Sequence, residues 1–273
     1  MTILVTGATG LVGARLLPRL VERGVECRAL VRPGKNGPTG ATAVEGDLLD
    51  AASLVDAVTG VSAIIHLAAV FRTQDTDLIW KSNLEGTRSL IAAAQAHAPD
   101  ARFIMASTSN VYGRNSTRPA RESDIVEPEQ AYPASKVEAE KLLRESSLNW
   151  SIVRFPFVYG DGDGHLEMLP KLLHLFDFHP ANRMSTIHHR DIATAMAMAL
   201  KGVFDGRIVN ISDDAPTTIY ELVELVGGTM APSSDAMQRP WFQHVDASLA
   251  RSLGFQPTVR SVHQAAHEGI MQA

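Results

Sequence analysis

A glycine-rich turn between a short apolar run and a stretch with helical periodicity constrains the fold of this chain more than any other feature. The apolar run covers residues 3–6 and the helical pattern covers 11–23. Between them the chain reads Thr-Gly-Ala-Thr-Gly-Leu-Val-Gly over positions 6–13. Glycine permits a tight turn and a close approach of backbone N–H groups to a phosphate, and the helix N-terminus adds partial positive charge. This order predicts a strand, a pyrophosphate-binding turn and a helix.

Apolar runs and helical patterns go on alternating through the first half of the chain. Further runs occupy residues 26–31, 43–45, 62–66, 102–106 and 151–155, and helical patterns occupy 51–58, 78–97 and 132–147. The runs are rich in Val, Ile and Leu, as expected for parallel strands that are buried on both faces with helices as crossovers. We therefore predict an α/β fold with a Rossmann-type, doubly wound parallel sheet.

The alternation weakens in the second half of the chain. At roughly 150 residues per domain, the 273 residues of this chain correspond to a domain count between one large domain and two unequal ones. We expect a dinucleotide-binding domain over 1–158 and a smaller C-terminal substrate-binding part over 159–273. A segment of about 188–211, which ends in a predicted strand, is expected to return to the main domain.

Charge and cysteine content restrict the partners and the location. The net charge is -5 and no dense Lys/Arg run occurs, so neither nucleic acid nor an anionic membrane surface is an expected partner. The single cysteine, Cys27, cannot form an internal disulfide, and no apolar stretch reaches the roughly 18 residues that span a bilayer. We expect a reduced, cytoplasmic protein that acts on a small molecule.

The acidic and histidine residues of the second half do not predict a metal site. Asp161, Asp163 and His165 lie in a glycine-rich turn that lacks the later glycine and the glutamate of a calcium loop. The histidines from His165 onward, including His174, do not have the spacing of a zinc site. We interpret this segment as a polar turn.

The residue that follows the second predicted strand bears on the choice of dinucleotide. An Asp or Glu about twenty residues past the turn would bind the ribose hydroxyls of NAD, but this chain has Arg32 there, followed by Lys35. The planar donors of arginine suit a 2′-phosphate, so NADP is favoured, and NAD is the alternative if Arg32 is a solvated loop residue. Asp47 could accept a hydrogen bond from the adenine amino group or cap the helix that begins near Asp50.

A tyrosine and a lysine stand four residues apart at the start of the helical pattern over 132–147. Tyr132 and Lys136 would share one helix face, although taken alone the pair could be surface residues of an ordinary helix. A nearby cation lowers the pKa of a phenol, which lets it move a proton to or from a hydroxyl during hydride transfer. The hydroxyl-rich segment 107–109 follows the fifth strand, at the edge where such sheets bind ligands.

Several further motifs follow in a characteristic order. They are His-Leu-Ala-Ala at 66–69, Asn-Leu-Glu-Gly-Thr at 83–87, Arg-Phe-Pro-Phe-Val-Tyr-Gly at 154–160, His-His-Arg-Asp at 188–191 and an Asp-helix-Leu-Gly-aromatic pattern within 246–257. With the glycine turn and the Tyr-Lys pair, the chain resembles an extended short-chain dehydrogenase/reductase of the NAD(P)-dependent epimerase/dehydratase family. The likeness covers nearly the whole chain.

The resemblance implies roles for individual residues. Tyr132 would be the acid/base, Lys136 would bind the nicotinamide ribose and tune the tyrosine, and Thr108 would be their hydroxyl partner. Relatives often pair helices in a homodimer, so a homodimer is expected as well. The expected cofactor-binding residues are Gly7, Thr9, Gly10, Leu11, Val12, Gly13, Arg32, Asp47, Leu48, Leu67, Ala68, Ala69, Asn83, Tyr132, Lys136 and Phe155.

The sequence departs from the family pattern where a substrate would bind. Ser109 and Asn110 stand where sugar dehydratases of the family carry an acidic pair, which disfavours dehydration. Relatives that act on nucleotide sugars place an arginine where this chain has Met184. Strand alternation would turn the preceding Arg183 to the opposite face. Arg239 is a second candidate for binding phosphate, with a solvated loop arginine as the alternative. Ser109, Asn110, Arg183 and Arg239 are therefore the substrate-binding candidates.

These features predict an NAD(P)-dependent oxidoreductase or epimerase that acts on a hydroxyl or carbonyl of a sugar or nucleotide sugar. An NADPH-dependent aldehyde or ketone reductase is the first alternative, because Arg32 favours NADPH and the C-terminal part is short. A non-catalytic module that senses NADP(H) is the second, and the intact Tyr-Lys pair argues against it.

Overall fold

The computed structural model describes residues 1–173 and 178–272. The strands, in chain order, are β1 (Thr2–Thr6), β2 (Glu26–Val31), β3 (Thr42–Glu45), β4 (Ala63–His66), β5 (Arg102–Thr108), β6 (Asn149–Phe155), β7 (Phe157–Tyr159), β8 (Arg183–Met184), β9 (Thr186–His188), β10 (Arg207–Asn210) and β11 (Thr217–Thr218). The helices are α1 (Gly13–Glu22), α2 (Val55–Val58), α3 (Thr76–Trp80), α4 (Gly86–His97), α5 (Ala131–Glu145), α6 (Leu169–Leu172), α7 (His189–Leu200), α8 (Ile219–Leu225), α9 (Ser248–Ser252) and α10 (Val262–His267).

Seven strands form one parallel sheet in the order β10-β6-β5-β4-β1-β2-β3. The order reverses between β1 and β4, which leaves a crevice at the carboxyl ends of these two strands. The predicted doubly wound α/β fold is confirmed.

Both faces of the sheet are buried, and the apolar runs provide a side chain for each. On β1, Ile3 and Val5 pack with Leu16 and Leu17 of α1 in one core cluster. Leu4 points the other way and belongs to a second cluster that includes residues of α2, α4 and α5. Because successive strand side chains alternate in direction, an unbroken apolar run fits a strand that has helices on both sides.

Three predicted helices differ in detail from the observed ones. The pattern over 11–23 becomes a helix only at Gly13, because the turn extends to Val12. The pattern over 51–58 starts with a 3-10 turn over Ala51–Leu54. The pattern over 78–97 consists of α3, a π-helical turn over Lys81–Glu85, and α4.

The C-terminal part adds two small sheets beside the main one. β7 pairs with β9 in parallel, and β8 pairs with β11 in the antiparallel sense. A third apolar cluster includes Tyr159, Leu222 and Val262. The chain returns to the central sheet where β10 lies beside β6. Among the described residues, no helix combines the length and apolar character that a membrane crossing requires.

Candidate functional site

The glycine turn is shaped by close backbone contacts. Gly7 has a φ of 67°, a left-handed conformation that favours glycine, and its carbonyl accepts the N–H of Gly10 at 2.9 Å. A Cβ on Gly7 would lie 2.7 Å from the nitrogen of Ala68, and a Cβ on Gly13 would overlap the carbonyl oxygen of Gly7. Side chains are therefore excluded from the space between β1, α1 and the loop after β4.

The residues of this turn fit a dinucleotide pyrophosphate. Thr9 and Gly10 are exposed at its tip, and Leu11 and Val12 are partly buried beside it. The N-terminus of α1 has no side-chain cap and no acidic residue in its first turn. Because the first N–H groups of a helix lack intrahelical partners, this end of α1 can donate hydrogen bonds to an anion.

Arg32 and Asp47 lie at the carboxyl ends of β2 and β3. Arg32 is exposed, and among the described residues no side chain bonds to its guanidinium. Asp47 accepts the N–H of Leu49 at 2.9 Å, whereas Asp50 caps the 3-10 turn that leads into α2. The alternative interpretation of Asp47 as the helix cap is therefore wrong. Leu48 packs beside Gly86 at the start of α4.

His66 ends β4 and connects three chain segments. Its Nδ1 lies 2.7 Å from the Thr6 hydroxyl and its Nε2 lies 2.8 Å from the Thr87 hydroxyl. Thr87 donates its proton to the Asn83 carbonyl, so it accepts from Nε2, and Thr6 donates to Nδ1. Burial, with the nearby charge of Lys136, lowers the pKa of His66 to about 3, which keeps the ring neutral.

This histidine is a structural part of the site that the sequence does not single out as a site residue. Thr6, which His66 holds, accepts the N–H of Ala68 at 3.3 Å. The partly buried segment Leu67, Ala68 and Ala69 is thereby fixed against the glycine turn. The sequence feature that could have indicated this role is a polar residue at the end of an otherwise apolar strand.

Asn83 and Phe155 are more deeply buried than expected for residues that face a cofactor. The side chain of Asn83 accepts the N–H of Val70 at 2.7 Å and donates to the Val70 carbonyl at 2.9 Å and to Ser135 at 3.1 Å. Both amide hydrogens of Asn83 are thus already donated within the protein. Phe155 is packed in the core. Direct contact of either residue with a cofactor stays a prediction.

Thr108, Tyr132 and Lys136 come together at the carboxyl edge of the sheet. Thr108 ends β5, and its hydroxyl lies close enough to the phenol of Tyr132 to lower the pKa of that phenol. Tyr132 and Lys136 lie one turn apart in the first half of α5, where Ser135 donates to the Tyr132 carbonyl at 2.7 Å. The three predicted catalytic residues therefore occupy a single site.

The electrostatics of this site differ from the sequence-based expectation in one respect. Burial raises the pKa of Tyr132 to about 12, a rise that the nearby Thr108 hydroxyl partly opposes. The sequence predicts instead that the Lys136 ammonium lowers this pKa. Lys136 is itself only 2% exposed, and burial lowers its pKa to about 8 against the opposing charge of Glu140. The phenol is therefore protonated at neutral pH.

A buried polar network supports α5 behind Tyr132 and Lys136. Glu140, one turn beyond Lys136, accepts a hydrogen bond of 2.5 Å from Ser107 on β5 and pairs with Arg154 on β6. Arg154 also donates to the hydroxyl of Tyr112 at 2.9 Å. Neither member of the ion pair is predicted as a site residue by the sequence, although Glu140 repeats the four-residue spacing of Tyr132 and Lys136.

The substrate-binding candidates are scattered. Ser109 is buried and Asn110 is exposed, immediately after Thr108. Arg183 is exposed and donates to the Pro216 carbonyl at 2.9 Å, while Met184 is buried, as strand alternation predicted. The backbone carbonyl of Arg239 accepts from Asn182 at 2.8 Å. A small pocket next to Ser109 is lined by residues that include Tyr112, Trp241, Phe242 and His244.

The predicted polar turn holds its acidic side chains within the protein. Asp161 pairs with Arg19 of α1 at 2.7 Å, and Asp163 lies 2.8 Å from Nε2 of His189. Within residues 1–173 and 178–272, no group of three or more His, Cys, Asp or Glu side chains could hold a metal ion. His174 lies outside the described residues.

Comparison with known proteins agrees with this geometry. The model of the NAD dependent epimerase/dehydratase family matches residues 3–212. A curated ketoreductase of a farnesyl dihydroquinoline oxide from Stigmatella aurantiaca is 29% identical, with 93% of this chain and 82% of the relative covered. A 2-alkyl-3-oxoalkanoate reductase from Stenotrophomonas maltophilia is 31% identical, with 86% and 78% covered.

Solved structures give the same result. A short-chain dehydrogenase/reductase superfamily protein from Agrobacterium tumefaciens with bound NAD has a TM-score of 0.80 and 26% identity, with 98% of this chain and 95% of that chain covered. A UDP-glucose 4-epimerase from Thermotoga maritima, at 22% identity and a TM-score of 0.78, shares the fold, with 97% and 96% covered. This chain belongs to the NAD dependent epimerase/dehydratase family and is an extended short-chain dehydrogenase/reductase, an NAD(P)-dependent oxidoreductase.

Proposed function

We propose that this enzyme reduces a ketone or aldehyde to the alcohol, with Tyr132, Lys136 and Thr108 as its catalytic residues. The observation that carries the proposal is the proximity of the Thr108 hydroxyl to the Tyr132 phenol, one helical turn from the buried Lys136. A carbonyl oxygen placed beside this pair can accept a hydrogen bond from each hydroxyl. A sensing module without catalysis would need neither residue.

The protonation state of Tyr132 supports the reductive direction. With a pKa raised to about 12, the phenol holds its proton at neutral pH and can donate it to the alkoxide that forms. Thr108 orients the carbonyl oxygen, and the Lys136 ammonium stabilises the phenolate that remains. The nicotinamide, when bound, supplies the hydride. Gly7, Gly10 and Gly13 would hold its pyrophosphate.

We propose NADPH as the preferred cofactor because of Arg32. Its guanidinium is exposed just after β2. An acidic residue that would bind the ribose hydroxyls of NAD is absent from this position, and Arg32 stands in its place. An arginine in this position can donate two hydrogen bonds to a 2′-phosphate. The bound NAD of the Agrobacterium tumefaciens structure supports a nicotinamide cofactor without deciding between the two forms.

A carbonyl reductase fits the C-terminal part better than a sugar or nucleotide-sugar epimerase does. Met184 is buried and Arg183 is tied to the Pro216 carbonyl, so neither provides a charge for a sugar diphosphate. The curated relatives from Stigmatella aurantiaca and Stenotrophomonas maltophilia bear the names of reductases of ketones. We also propose that residues 1–158 form the dinucleotide-binding domain and that residues 159–273 form the smaller part that covers the substrate.

The test is turnover of carbonyl compounds by the purified chain with NADPH and with NADH. Replacement Tyr132→Phe removes the proton donor and is expected to lower kcat about 10²- to 10⁴-fold. Tyr220→Phe is a matched control, because the Tyr220 hydroxyl bonds to Glu224 on α8, away from this site. If Tyr132→Phe retained full turnover, the proposed roles would be wrong. Redox-neutral turnover without NADPH consumption would instead indicate an epimerase.

A further inference from the structure

The loop after β4 places an aromatic side chain directly against the catalytic tyrosine. The rings of Phe71 and Tyr132 have centroids 5.5 Å apart and are tilted by 43°. Phe71 is 41% exposed, which is unusual for a large apolar side chain. It therefore offers an open apolar face beside the position where a carbonyl would react.

This position of Phe71 is fixed by its neighbour in the chain. Val70 exchanges two hydrogen bonds with the side chain of Asn83, which is fully buried in the π-helical turn after α3. Asn83 also donates to Ser135, the residue before Lys136. The same buried side chain thus ties the Phe71 loop to the helix that carries Tyr132 and Lys136.

Arg72 adds a positive charge to this apolar face. Its guanidinium carbon lies 5.1 Å from the centroid of the Phe71 ring, in a cation–π arrangement. The side chain is exposed, and no carboxylate of the described residues lies within ion-pair distance of it. Asp75, in the same loop, is instead engaged as the cap of α3, where it accepts the N–H of Leu78 at 2.9 Å.

A second aromatic pair lies near Arg72. The ring of His165 stacks on Phe157 of β7 at 4.3 Å, and its Nδ1 donates to the Val158 carbonyl at 2.8 Å. Arg72 is close enough for its charge to contribute to the lowered pKa of His165. Phe71 thus packs against a cation that, within the described part of the chain, has no acidic partner, and the Phe157–His165 pair adds apolar surface close enough for the charge of Arg72 to act on His165.

We propose that Phe71 and Arg72 determine the substrate class, and that the enzyme reduces oxo acids in which an apolar chain and a carboxylate flank the reacting carbonyl. This inference rests on the proposed reductase function. Arg72 would bind the carboxylate through charge-assisted hydrogen bonds, and Phe71 would pack against the chain. Reduction of a 3-oxo acid consumes one NADPH and one proton and yields the 3-hydroxy acid and NADP⁺.

The experiment compares 3-oxooctanoate with its methyl ester, which has the same chain and carbonyl but no charge. Initial rates of NADPH consumption give kcat/KM for each compound. The unmodified enzyme is expected to prefer the acid, and Arg72→Gln is expected to lower the acid-to-ester ratio of kcat/KM about 10- to 100-fold, mainly through KM. Arg72→Lys retains the charge and should recover part of the ratio.

Arg88→Gln provides the matched control for Arg72. Arg88 lies on α4 in an exposed pair with Glu85, so its replacement should leave the acid-to-ester ratio unchanged. For the apolar chain, Phe71→Ala should reduce the preference for 3-oxooctanoate over 3-oxobutanoate. Ile125→Ala, at an apolar side chain that is 80% exposed elsewhere, should leave that preference unaltered.

A binding measurement covers the case in which turnover is slow. Calorimetric titration of the NADP⁺-loaded protein with 3-hydroxyoctanoate should give weaker binding for Arg72→Gln than for the unmodified chain. Equal kcat/KM for acid and ester, or an equal loss of both in Arg72→Gln, would overturn the substrate class and leave the reductase function standing. Absence of both turnover and binding with the acid would also overturn the proposed substrate class. Failure of Tyr132→Phe to reduce turnover would instead count against the proposed function.

Discussion

Arg154 binds the carboxylate of Glu140 through two nitrogens, with Nε 3.1 Å from Oε1 and Nη2 2.6 Å from Oε2. Both side chains are at most 4% exposed. Glu140 lies on α5 and Arg154 on β6, so the pair joins the helix that carries Tyr132 and Lys136 to the sheet. Two charges so deeply buried are stable only while each has its partner.

Removal of one partner should therefore destabilise the protein strongly. Arg154→Met leaves the carboxylate of Glu140 buried without a cation, and we expect the free energy of unfolding to fall by about 3–5 kcal/mol. Urea denaturation measures this change. The double variant with Glu140→Leu should regain much of the loss. Arg88→Met breaks the exposed pair with Glu85 and should cost no more than about 1 kcal/mol. Equal losses in the two single variants would contradict the prediction.

The charge of Glu140 should also set the alkaline limit of activity. Burial lowers the pKa of Lys136 to about 8, and Glu140 opposes this shift. The charged form of Lys136 is lost as pH rises through that value, so kcat/KM should fall near pH 8. In Glu140→Gln the opposing charge is gone, so the alkaline limb of the kcat/KM profile, where activity falls, should move to lower pH.

The pH profile of kcat/KM measures this shift. His66 also faces Lys136, but it is neutral throughout this range because its pKa is lowered to about 3. The control is Glu138→Gln on the same helix, where the exposed carboxylate pairs with Lys141. A limb that moves equally in both variants, or in neither, would show that Glu140 does not act on Lys136.

Gly7 should be needed for cofactor binding because of its contact with Ala68. In Gly7→Ala the new Cβ would lie 2.7 Å from the Ala68 nitrogen, so the turn and the loop after β4 must separate. We expect the affinity for NADPH, measured by fluorescence titration, to fall at least tenfold. Gly24 shares the positive φ but has open space where a Cβ would lie, so Gly24→Ala should affect stability alone.

Arg32 should distinguish the two nicotinamide cofactors. Arg32→Ser removes donors for a 2′-phosphate, and we expect the affinity for NADPH to fall about 10- to 100-fold while that for NADH is retained. Titrations with both cofactors give the ratio directly. Arg144→Ser, at an exposed position near the end of α5, serves as the control. An unchanged ratio in Arg32→Ser would remove the support for NADP preference.

The sequence predicted the fold because each signal was local. Unbroken apolar runs such as that of β1, and a glycine turn at a fixed place between strand and helix, indicate a parallel sheet without knowledge of distant contacts. The four-residue spacing of Tyr132 and Lys136 likewise fixes their common face on α5. These features depend on residues that are close together in the chain.

The remaining parts of the site depend on contacts between distant segments. The Glu140–Arg154 pair joins a helix to a strand, and the contact of Phe71 with Tyr132 joins the loop after β4 to α5. Hydrophobic periodicity, which is a local property of the sequence, does not predict such contacts between distant segments. The pKa of Tyr132 shows the same limit, because burial raises it and the Lys136 charge on which the expectation rests is not among the causes of its shift.

The buried carboxyl group of Asp213, in the C-terminal part, should make the stability of the protein depend on pH. Its carboxyl group is buried, accepts a hydrogen bond of 2.5 Å from Thr186 and has its pKa raised to about 7 by burial. The folded protein therefore binds a proton that the unfolded chain releases at a much lower pH. The stability that Asp213 contributes is present at acidic pH and is lost as pH rises toward 7.

Replacement Asp213→Asn removes this titration while retaining an acceptor for the Ala215 N–H, which bonds to Oδ1 at 3.3 Å. We expect the variant to be more thermostable than the unmodified chain at pH 8, with the advantage shrinking as pH falls toward 4. Melting temperatures across this range measure the difference. Asp56→Asn, at an exposed carboxylate in the first turn of α2, should follow the unmodified chain at every pH. Because burial of an ionised carboxyl opposes folding, a variant less stable than the parent at pH 8 would show that Asp213 is compensated by a partner in its ionised form.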